Sequence, residues 1–405
     1  MKLRLVAPVA AAAATCLVFS GCSSHSSSNS NSSSTAKGSA INVMLSTALT
    51  GSNSPMPETQ GGLTASVAEI NHAGGIDGHP IDMAICDTQG NANLAESCAQ
   101  QAVVNKDVAV FAPGNVLTSG MIPTLQKAGI ALFGSDSNTA LDATSPISFP
   151  AVTGGYDLNN ASGPIAKQLG CKKVATLIIQ APDITTVIAN GYQQMFKALG
   201  IPYAGPTYSP TSETNFSGTL AALEASGADC VTTALAIAQT TGLLTAWKQS
   251  GSTLKLIIPG TTIAPLTSLS SIDSGIIVYS PVRLPSDPLA APTVAAINKY
   301  ASGTVISSRS IEAYAIGQLF ASALEKAKPA TYTAATVLAA LNNDLRNTAS
   351  GNILPPYSSV PSTVANQQRI FSKGVVAYDV NGTSTKTVTP TWIEIPGIST
   401  PLTVS

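Results

Sequence analysis

The chain is poor in charge. Charged residues make up 10% of its 405 positions, against about 25% in an ordinary soluble domain. The 20 Lys and Arg nearly balance 21 Asp and Glu, for a net charge of −1. Basic residues form no dense cluster, which argues against nucleic acid or an acidic membrane surface as a partner. Histidine is scarcer still: His25, His72 and His79 stand at no ligand spacing, and no Cys-x-x-Cys occurs, so no metal site is expected. Catalytic signatures are missing as well. There is no Gly-x-Ser-x-Gly, no His-Glu-x-x-His, no Gly-x-Gly-x-x-Gly, and no Gly-Lys dipeptide to supply a phosphate-loop lysine. The acids do not cluster, so no carboxylate pair for glycosidic cleavage stands out. These absences point away from an enzyme and from a cofactor. Beyond the N-terminus no apolar run is long enough to cross a bilayer.

Apolar residues fill 44% of the chain, and mean hydropathy is +0.25, drawn largely from Ala and β-branched residues. That is enough for sizeable cores, and the length suits two domains better than one. With few charges, the surface must be largely Ser, Thr, Ala and Gly.

The first residues read as an address. Lys2 and Arg4 precede an Ala-rich apolar run from Leu5 to Phe19, followed by Val18-Phe19-Ser20-Gly21-Cys22. This resembles a bacterial lipobox, with Phe19 where Leu is more usual. Residues 1–22 are therefore expected to be a lipoprotein signal peptide, with Cys22 lipidated; Cys16, preceded by Thr15, is the poorer candidate. Residues 23–40 are almost all Ser, Asn, Thr and Gly. They cannot bury apolar area and predict a flexible tether holding the body about 20–25 Å from the membrane. The expected location is the extracytoplasmic face of a bacterial cell membrane, reached through the lipid anchor.

From Ile41 short β-like runs alternate with helical ones. Strands are predicted at 41–45, 81–86, 108–111 and 131–133, and helices at 60–73, 93–105 and 118–128. Leu63, Val67 and Ile70 share one face of the first helix, and Gly74-Gly75 ends it. After a pause near Ile147–Gly155 a second series follows. It has helices at 157–169, 185–199 and 240–249 and strands at 174–179, 230–235, 255–258 and 275–279. Val187, Ile188, Met195, Phe196 and Leu199 are its core candidates on the second of these helices. Further helices are predicted at 293–300, 310–327 and 334–341, with strand-like text at 374–380 and 391–395. The alternation implies an α/β fold of two doubly wound parallel-sheet lobes.

Several segments carry a family likeness. Glu69-Ile70-Asn71-His72-Ala73-Gly74-Gly75-Ile76-Asp77-Gly78-His79-Pro80-Ile81 resembles a stretch of the type I periplasmic binding proteins, in the leucine/isoleucine/valine-binding branch that serves ABC importers. Cys86-Asp87-Thr88-Gln89-Gly90-Asn91, Ala112-Pro113-Gly114, Ala128-Gly129-Ile130-Ala131, Gly170 to Ala175, Ala228 to Val231, Tyr314-Ala315 and Ala323 to Ala327 resemble further family segments, in the family's order. The resemblance covers about Ile41 to Ile395. It implies lobes joined by three hinge crossings, near Phe149–Thr153, Tyr279–Arg283 and Thr389–Trp392. The first lobe would be residues 41–151 plus 283–388, and the second 152–282 plus 389–405. It also implies a monomer that captures a small polar solute, an amino acid, amide or similar, and hands it to an ABC transporter permease. The alternative is a ligand-sensing or orphan module on the same fold with no transport role.

In parallel α/β sheets ligands bind beyond the carboxyl ends of strands, near helix N-termini. The loops there offer Asn53 after the first strand, Asn115 and Thr118 after the third, and Ser135, Asp136, Ser137 and Asn138 after the fourth. Likeness to the family assigns the last two loops to ligand contact. The plainer reading of Ser and Asn at such places is helix capping and turn formation. In the second lobe the family's acidic-Tyr-Gly loop is replaced by Gln180-Ala181-Pro182-Asp183-Ile184-Thr185, which leaves Asp183 and Asp136 as the nearby acids. A ligand less charged than leucine is compatible with that departure.

Apart from Cys16 and Cys22, four cysteines remain, an even number that suits an exported chain. The family resemblance implies a Cys86–Cys98 bridge. Cys171 and Cys230 stand at the starts of strands expected to be neighbours, and form either a second bridge or two buried thiols.

Overall fold

The computed structural model describes residues 36–51, 55–155, 157–181, 185–260, 275–345, 352–382, 384–388 and 391–398. The expected signal peptide with Cys22, most of the Ser-rich tether, Asn53 and Asp183 lie outside those residues. The end of the tether does not run free up to residue 40. Gly38 N donates to Gly78 O at 2.8 Å, and Ser39 O meets His79 Nδ1 at 2.8 Å.

The first series is β1 (Ile41–Thr47), α1 (Glu58–His72), β2 (Ile81–Asp87), α2 (Ala92–Asn105), β3 (Ala109–Phe111), α3 (Thr118–Ala128), β4 (Ala131–Phe133), α4 (Ala140–Thr144) and β5 (Ser148–Phe149). Its strands form one parallel sheet in the order β2-β1-β3-β4-β5. Both faces are covered, which is why β3 and β4 read as unbroken apolar runs and β1 is buried at every position but Asn42. Alternation along β1 sends Met44 to a core with α2 and α3 residues such as Ala99, Ile122 and Leu125. Val43 and Leu45 enter the opposite core with Leu63, Val67 and Ile70 of α1.

The second series holds α5 (Ser162–Gln168), β6 (Val174–Gln180), α6 (Thr185–Ala198), β7 (Tyr203–Pro210), α7 (Ser217–Ala225), β8 (Cys230–Ala234), α8 (Ile237–Ser250), β9 (Lys255–Pro259) and β10 (Ile276–Ser280). The helix expected over 157–169 divides into a 3-10 turn, Asp157–Ala161, and α5. On α6, Ile188, Met195 and Phe196 are buried as expected, but Val187 is 52% exposed, because it falls off the stripe they share. The chain then returns to the first lobe with α9 (Ala291–Tyr300), α10 (Ser308–Ala327) and α11 (Ala334–Asp344). Ile297, Ile311, Phe320 and Val337 of these helices complete the core of the first sheet. A Cβ on Gly62 would come within 2.0 Å of Ser310 O, so glycine there is what lets α1 and α10 touch.

Three strands end the chain: β11 (Gly374–Asn381), β12 (Ser384–Thr387) and β13 (Ile393–Glu394). Here the structure corrects two expectations. β11 pairs antiparallel with β10, Ile276 opposite Val380, and β12 pairs antiparallel with β11. The second sheet, β12-β11-β10-β9-β8-β6-β7, is therefore mixed rather than parallel. The chain has also changed sheets before Gly374, ahead of the crossing expected near Thr389–Trp392 that left 374–388 in the first lobe. The physical reason is that β11 and β12 form a hairpin, which joins a sheet edge without a helical crossover. The irregular strap before β11 serves both cores: Tyr357 and Phe371 enter the first, Ile370 the second. It runs beside the first crossing, where Thr153 Oγ1 donates to Ser372 O.

Both disulfides are formed. Cys86 and Cys98 are joined with Cα atoms 5.8 Å apart, and Cys171 and Cys230 with Cα atoms 5.9 Å apart. The second follows from strand order, since β6 and β8 are neighbours with Val174 opposite Cys230. Among the described residues no helix is long and apolar enough to cross a membrane.

Candidate functional site

The carboxyl ends of β1, β3 and β4 open onto one set of loops. Asp87, at the end of β2, shapes the first of these. Its carboxylate accepts from Leu49 N at 2.9 Å, Thr50 N at 3.2 Å, Gln89 N at 2.9 Å and the Thr50 hydroxyl. Partial burial would raise its pKa, but these hydrogen bonds, Thr50 foremost, outweigh it and hold the carboxyl below its ordinary value. Thr47 Oγ1 donates to Pro113 O at 2.9 Å and so ties the end of β1 to the loop after β3.

Asn115 lies in that loop but turns inward. It is 3% exposed, and its amide donates to Ser46 O at 3.0 Å while its Oδ1 accepts from Leu117 N at 2.8 Å. Thr118 and Ser135 are fully buried and point at one acid that sequence reasoning missed, Asp142. Its Oδ2 accepts from Thr118 Oγ1 at 2.9 Å, Thr139 N at 2.9 Å and Thr139 Oγ1 at 2.8 Å, and its Oδ1 from Ser135 Oγ at 3.4 Å. Burial pushes the Asp142 carboxyl up, the Thr139 and Thr118 hydrogen bonds pull it partly back, and nearby Asp136 raises it again. Asp142 thus welds the loop after β4 to the N-terminus of α3.

The rest of the Ser135–Asn138 loop lies along the first crossing. Ala151 N donates to Ser135 O at 2.9 Å, Gly154 N to Ser137 Oγ at 3.0 Å, and Gly155 N to Asn138 Oδ1 at 3.0 Å. Ser137 is buried. Asn138 is half-buried, and its amide nitrogen is not among the donors used in these contacts.

Asp136 carries the charge of the site. Arg309, in the first turn of α10, grips it at two points, Nη1 to Oδ1 at 3.1 Å and Nη2 to Oδ2 at 2.9 Å. The same Nη1 also donates to Glu312 Oε2 at 2.9 Å. The side chains of Asp136 and Glu312 are 7% and 2% exposed, whereas that of Arg309 is 25% exposed, so Arg309 is the least covered member of the group. Burial drives the Glu312 pKa up, Arg309 opposes this, and Asp136 adds to the rise. Glu312 Oε1 is buried without a partner. Gly114, with φ of +67°, closes the group from the β3 side: a Cβ there would sit 2.8 Å from Met56 Sδ and 3.5 Å from Arg309 Cζ.

The missed residues left one readable signal. Arginine is rare here, five in the chain, and a cation in the first turn of a helix opposes the helix dipole. Its placement asks for an acidic partner, which the sequence could not identify because Asp136 is 173 residues away.

In the second lobe the carboxyl end of β8 leads into exposed Ala236, Ile237 and Ala238, at the N-terminus of α8. The wall there is apolar and uncharged. Among the described residues no group of three His, Cys, Asp or Glu side chains is placed to hold a metal.

A family model for periplasmic binding proteins matches residues 40–354. The chain belongs to that family. Its fold is shared with solved structures at low identity. The branched-chain amino acid transporter substrate-binding protein LivJ of Streptococcus pneumoniae, solved with isoleucine, is 17% identical with a TM-score of 0.69, over 88% of this chain and 99% of that one. A solute-binding protein of an ABC transporter from R. palustris, solved with 4-hydroxybenzoate, is 20% identical with a TM-score of 0.67, over 88% and 98%. A fatty acid ABC transporter substrate-binding protein from Thermomonospora curvata is 15% identical with a TM-score of 0.69, over 92% and 97%. No curated protein matches the sequence.

The segments that carry this periplasmic binding protein's family likeness meet in space as scaffold. Asn71 clamps the start of β2, donating to Ile81 O at 2.8 Å and accepting from Ile81 N at 2.7 Å. Glu69 accepts from the Tyr314 hydroxyl and from Gln318 Nε2, joining α1 to α10. Neither residue belongs to the strand-end cluster.

Proposed function

We propose that this periplasmic binding protein captures a small organic solute between its two lobes, outside the cytoplasm, and delivers it to the permease of an ABC importer. The observation that carries the reading is the Asp136–Arg309–Glu312 group at the carboxyl ends of β3 and β4, of which only the Arg309 side chain is partly open. Such a group fixes the polar end of a ligand, and the apolar Ile237 edge of the second lobe suits its body. Isoleucine and 4-hydroxybenzoate, the ligands of two proteins of this fold, each join a carboxylate to an apolar portion. A solute with a carboxylate or amide head follows for this chain: an amino acid, an amide or a similar compound. Asn138, Ser137 and Asp136 line the head from the first lobe, with Asn115, Thr118 and Ser135 supporting the loops. Asn53 and Asp183 remain proposed contacts. Closure of the lobes about the 149–153 and 279–283 crossings and the 352–373 strap excludes water and creates the shape that the permease reads. Lipidation of Cys22 would keep the protein at the membrane.

The test is native mass spectrometry of protein purified from its own host, followed by calorimetric titration of the compound found. Arg309→Met and Asn138→Ala should each weaken its binding. A bound compound whose affinity neither change alters places the site elsewhere, and a protein that is never found loaded, and takes up no solute from host extract, defeats the reading. Loss of the protein from the membrane fraction in a Cys22→Ala variant checks the anchor.

A further inference from the structure

The first lobe holds the first crossing well beyond the end of β5. Ala151 N donates to Ser135 O at 2.9 Å, Asp136 and Val152 pair as an isolated parallel bridge, and Ser137 N donates to Val152 O at 3.3 Å. There the backbone ladder stops. The next glycine amides are held by side chains instead, Gly154 N by Ser137 Oγ at 3.0 Å and Gly155 N by Asn138 Oδ1 at 3.0 Å. Thr153, just before them, is fixed by its Oγ1 to Ser372 O of the strap. Core membership changes over the same stretch. Ala151 and Val152 belong to the core of the first sheet, Leu158 and Ala161 to a core of the second.

Both glycines are required where they stand. A Cβ on Gly154 would come within 2.7 Å of Asn138 Oδ1 and 3.2 Å of Asp136 Cβ, so glycine is what lets the loop lie against the crossing. Gly155 has a φ of +57°, the left-handed conformation that glycine adopts freely and other residues adopt under strain. Two successive residues without side chains turn more readily than their neighbours, and a domain hinge is a few loop positions that absorb a change in φ and ψ. A hydrogen bond from a side chain can also be released while the ladder before it stays whole.

We infer that Gly154-Gly155 is the pivot of the first crossing, and that Ser137 and Asn138 are positioning residues that set its angle. Residues 149–153 then travel with the first lobe, and the bend comes just after the stretch expected for it. The consequence for function rests on the solute reading of the Ser135–Asn138 loop: the loop that meets the solute is the loop that holds the pivot. A solute that turns the Asn138 amide moves the acceptor of Gly155 N. Capture and closure are thereby coupled through one side chain, and the coupling is reciprocal.

The test reads the distance between the lobes. Spin labels on non-natural amino acids, which spare the disulfides, replace exposed Gln100 of α2 and Glu224 of α7. Protein is stripped of solute in guanidinium with its disulfides intact and refolded. Pulsed electron resonance then gives the distance distribution, alone and with the small-molecule fraction of host extract. Ser137→Ala and Asn138→Ala each remove one hydrogen bond, so the population with the lobe spacing of this structure should fall roughly fivefold per substitution. Gly155→Ala leaves both side chains in place, strains the pivot alone and should move the distribution the same way. Gly303→Ala is the control. There φ is +88° with nothing within 4 Å of a Cβ, so a like backbone penalty falls outside the crossing, and the wild-type distribution should remain. A Gly155→Ala protein that behaves as Gly303→Ala does overturns the pivot. If Gly155→Ala does not fold, Ser137→Ala and Asn138→Ala decide, and wild-type distributions in both overturn it. Extract that fails to shift wild type, while these variants shift the stripped protein, sinks the solute reading and leaves the pivot standing.

Discussion

Arg309 and Asp136 meet in a two-point contact that joins α10 to the loop after β4, with Glu312 on the same guanidinium. Removing the cation leaves two buried acids facing each other. Arg309→Met should therefore cost about 3 kcal/mol of stability and most of the ligand affinity. Adding Asp136→Asn to that variant should recover part of the stability, since one charge has gone, but none of the binding. Urea denaturation and calorimetric titration of the three proteins check both halves. Additive losses in the double variant would show that the pair is not coupled.

Asp142 shows how the candidate site is built from behind. Thr118 and Ser135, candidate ligand contacts by sequence, donate to this buried carboxylate together with Thr139. Asp142→Asn leaves one oxygen to accept from the Thr139 N–H and turns the other acceptor, which receives the Ser135 hydroxyl, into an NH2 donor. A loss of about 2 kcal/mol is expected, with faster amide hydrogen exchange across 135–139. Unchanged exchange there would deny Asp142 its role in fixing the loop.

The readable part of this molecule was the part governed by local pattern. The α1 stripe of Leu63, Val67 and Ile70, the limits of α3 and the β3 and β4 runs follow from periodicity and glycine punctuation, and the structure keeps them. β7 is absent from the expected strands; its Gly205, Pro206 and Pro210 disfavour a strand interior, and it survives at the sheet edge, where a missing N–H costs little. β11 was legible as a strand but not in its partner, since antiparallel pairing with β10 is settled across nearly a hundred residues. The site divides in the same way. The strand-end loops could be found from the order of elements, and Asp136 was among the candidates. Arg309, Glu312 and Asp142 could not, because what marks them is burial and pairing at long range.

Glu312 should make stability depend on pH. Burial, with Asp136 adding and Arg309 opposing, pushes its carboxyl from 4.5 up to about 8. Across that interval the folded protein holds a proton that the unfolded chain releases. Stability from this group is complete below about pH 4.5 and is lost as pH rises toward 8. Asp142, also raised, acts with the same sign. Glu312→Gln, which keeps an acceptor for Arg309, should flatten the fall between about pH 5 and 8. Chemical denaturation of wild type and variant across that range measures it. Parallel curves would mean that Glu312 is ionised throughout.

The two disulfides should separate stability from function. The Cys171–Cys230 bridge spans 59 positions and the Cys86–Cys98 bridge 12. Loop-closure entropy then predicts losses of about 4 and about 3 kcal/mol on replacing each pair by alanine. Their places differ more than their energies. Cys230 opens β8 and Cys171 precedes β6, so that bridge sits at the amino ends of its strands, away from any ligand at the carboxyl ends. Cys86 lies next to Asp87, whose carboxylate holds Leu49 and Thr50 at the carboxyl end of β1. Losing Cys171–Cys230 should lower the melting temperature and leave affinity unchanged. Losing Cys86–Cys98 should weaken ligand binding as well, because Asp87 is no longer fixed beneath the loop. Affinity that responds to the first pair and not the second would put the ligand at the wrong end of the sheets for this reading.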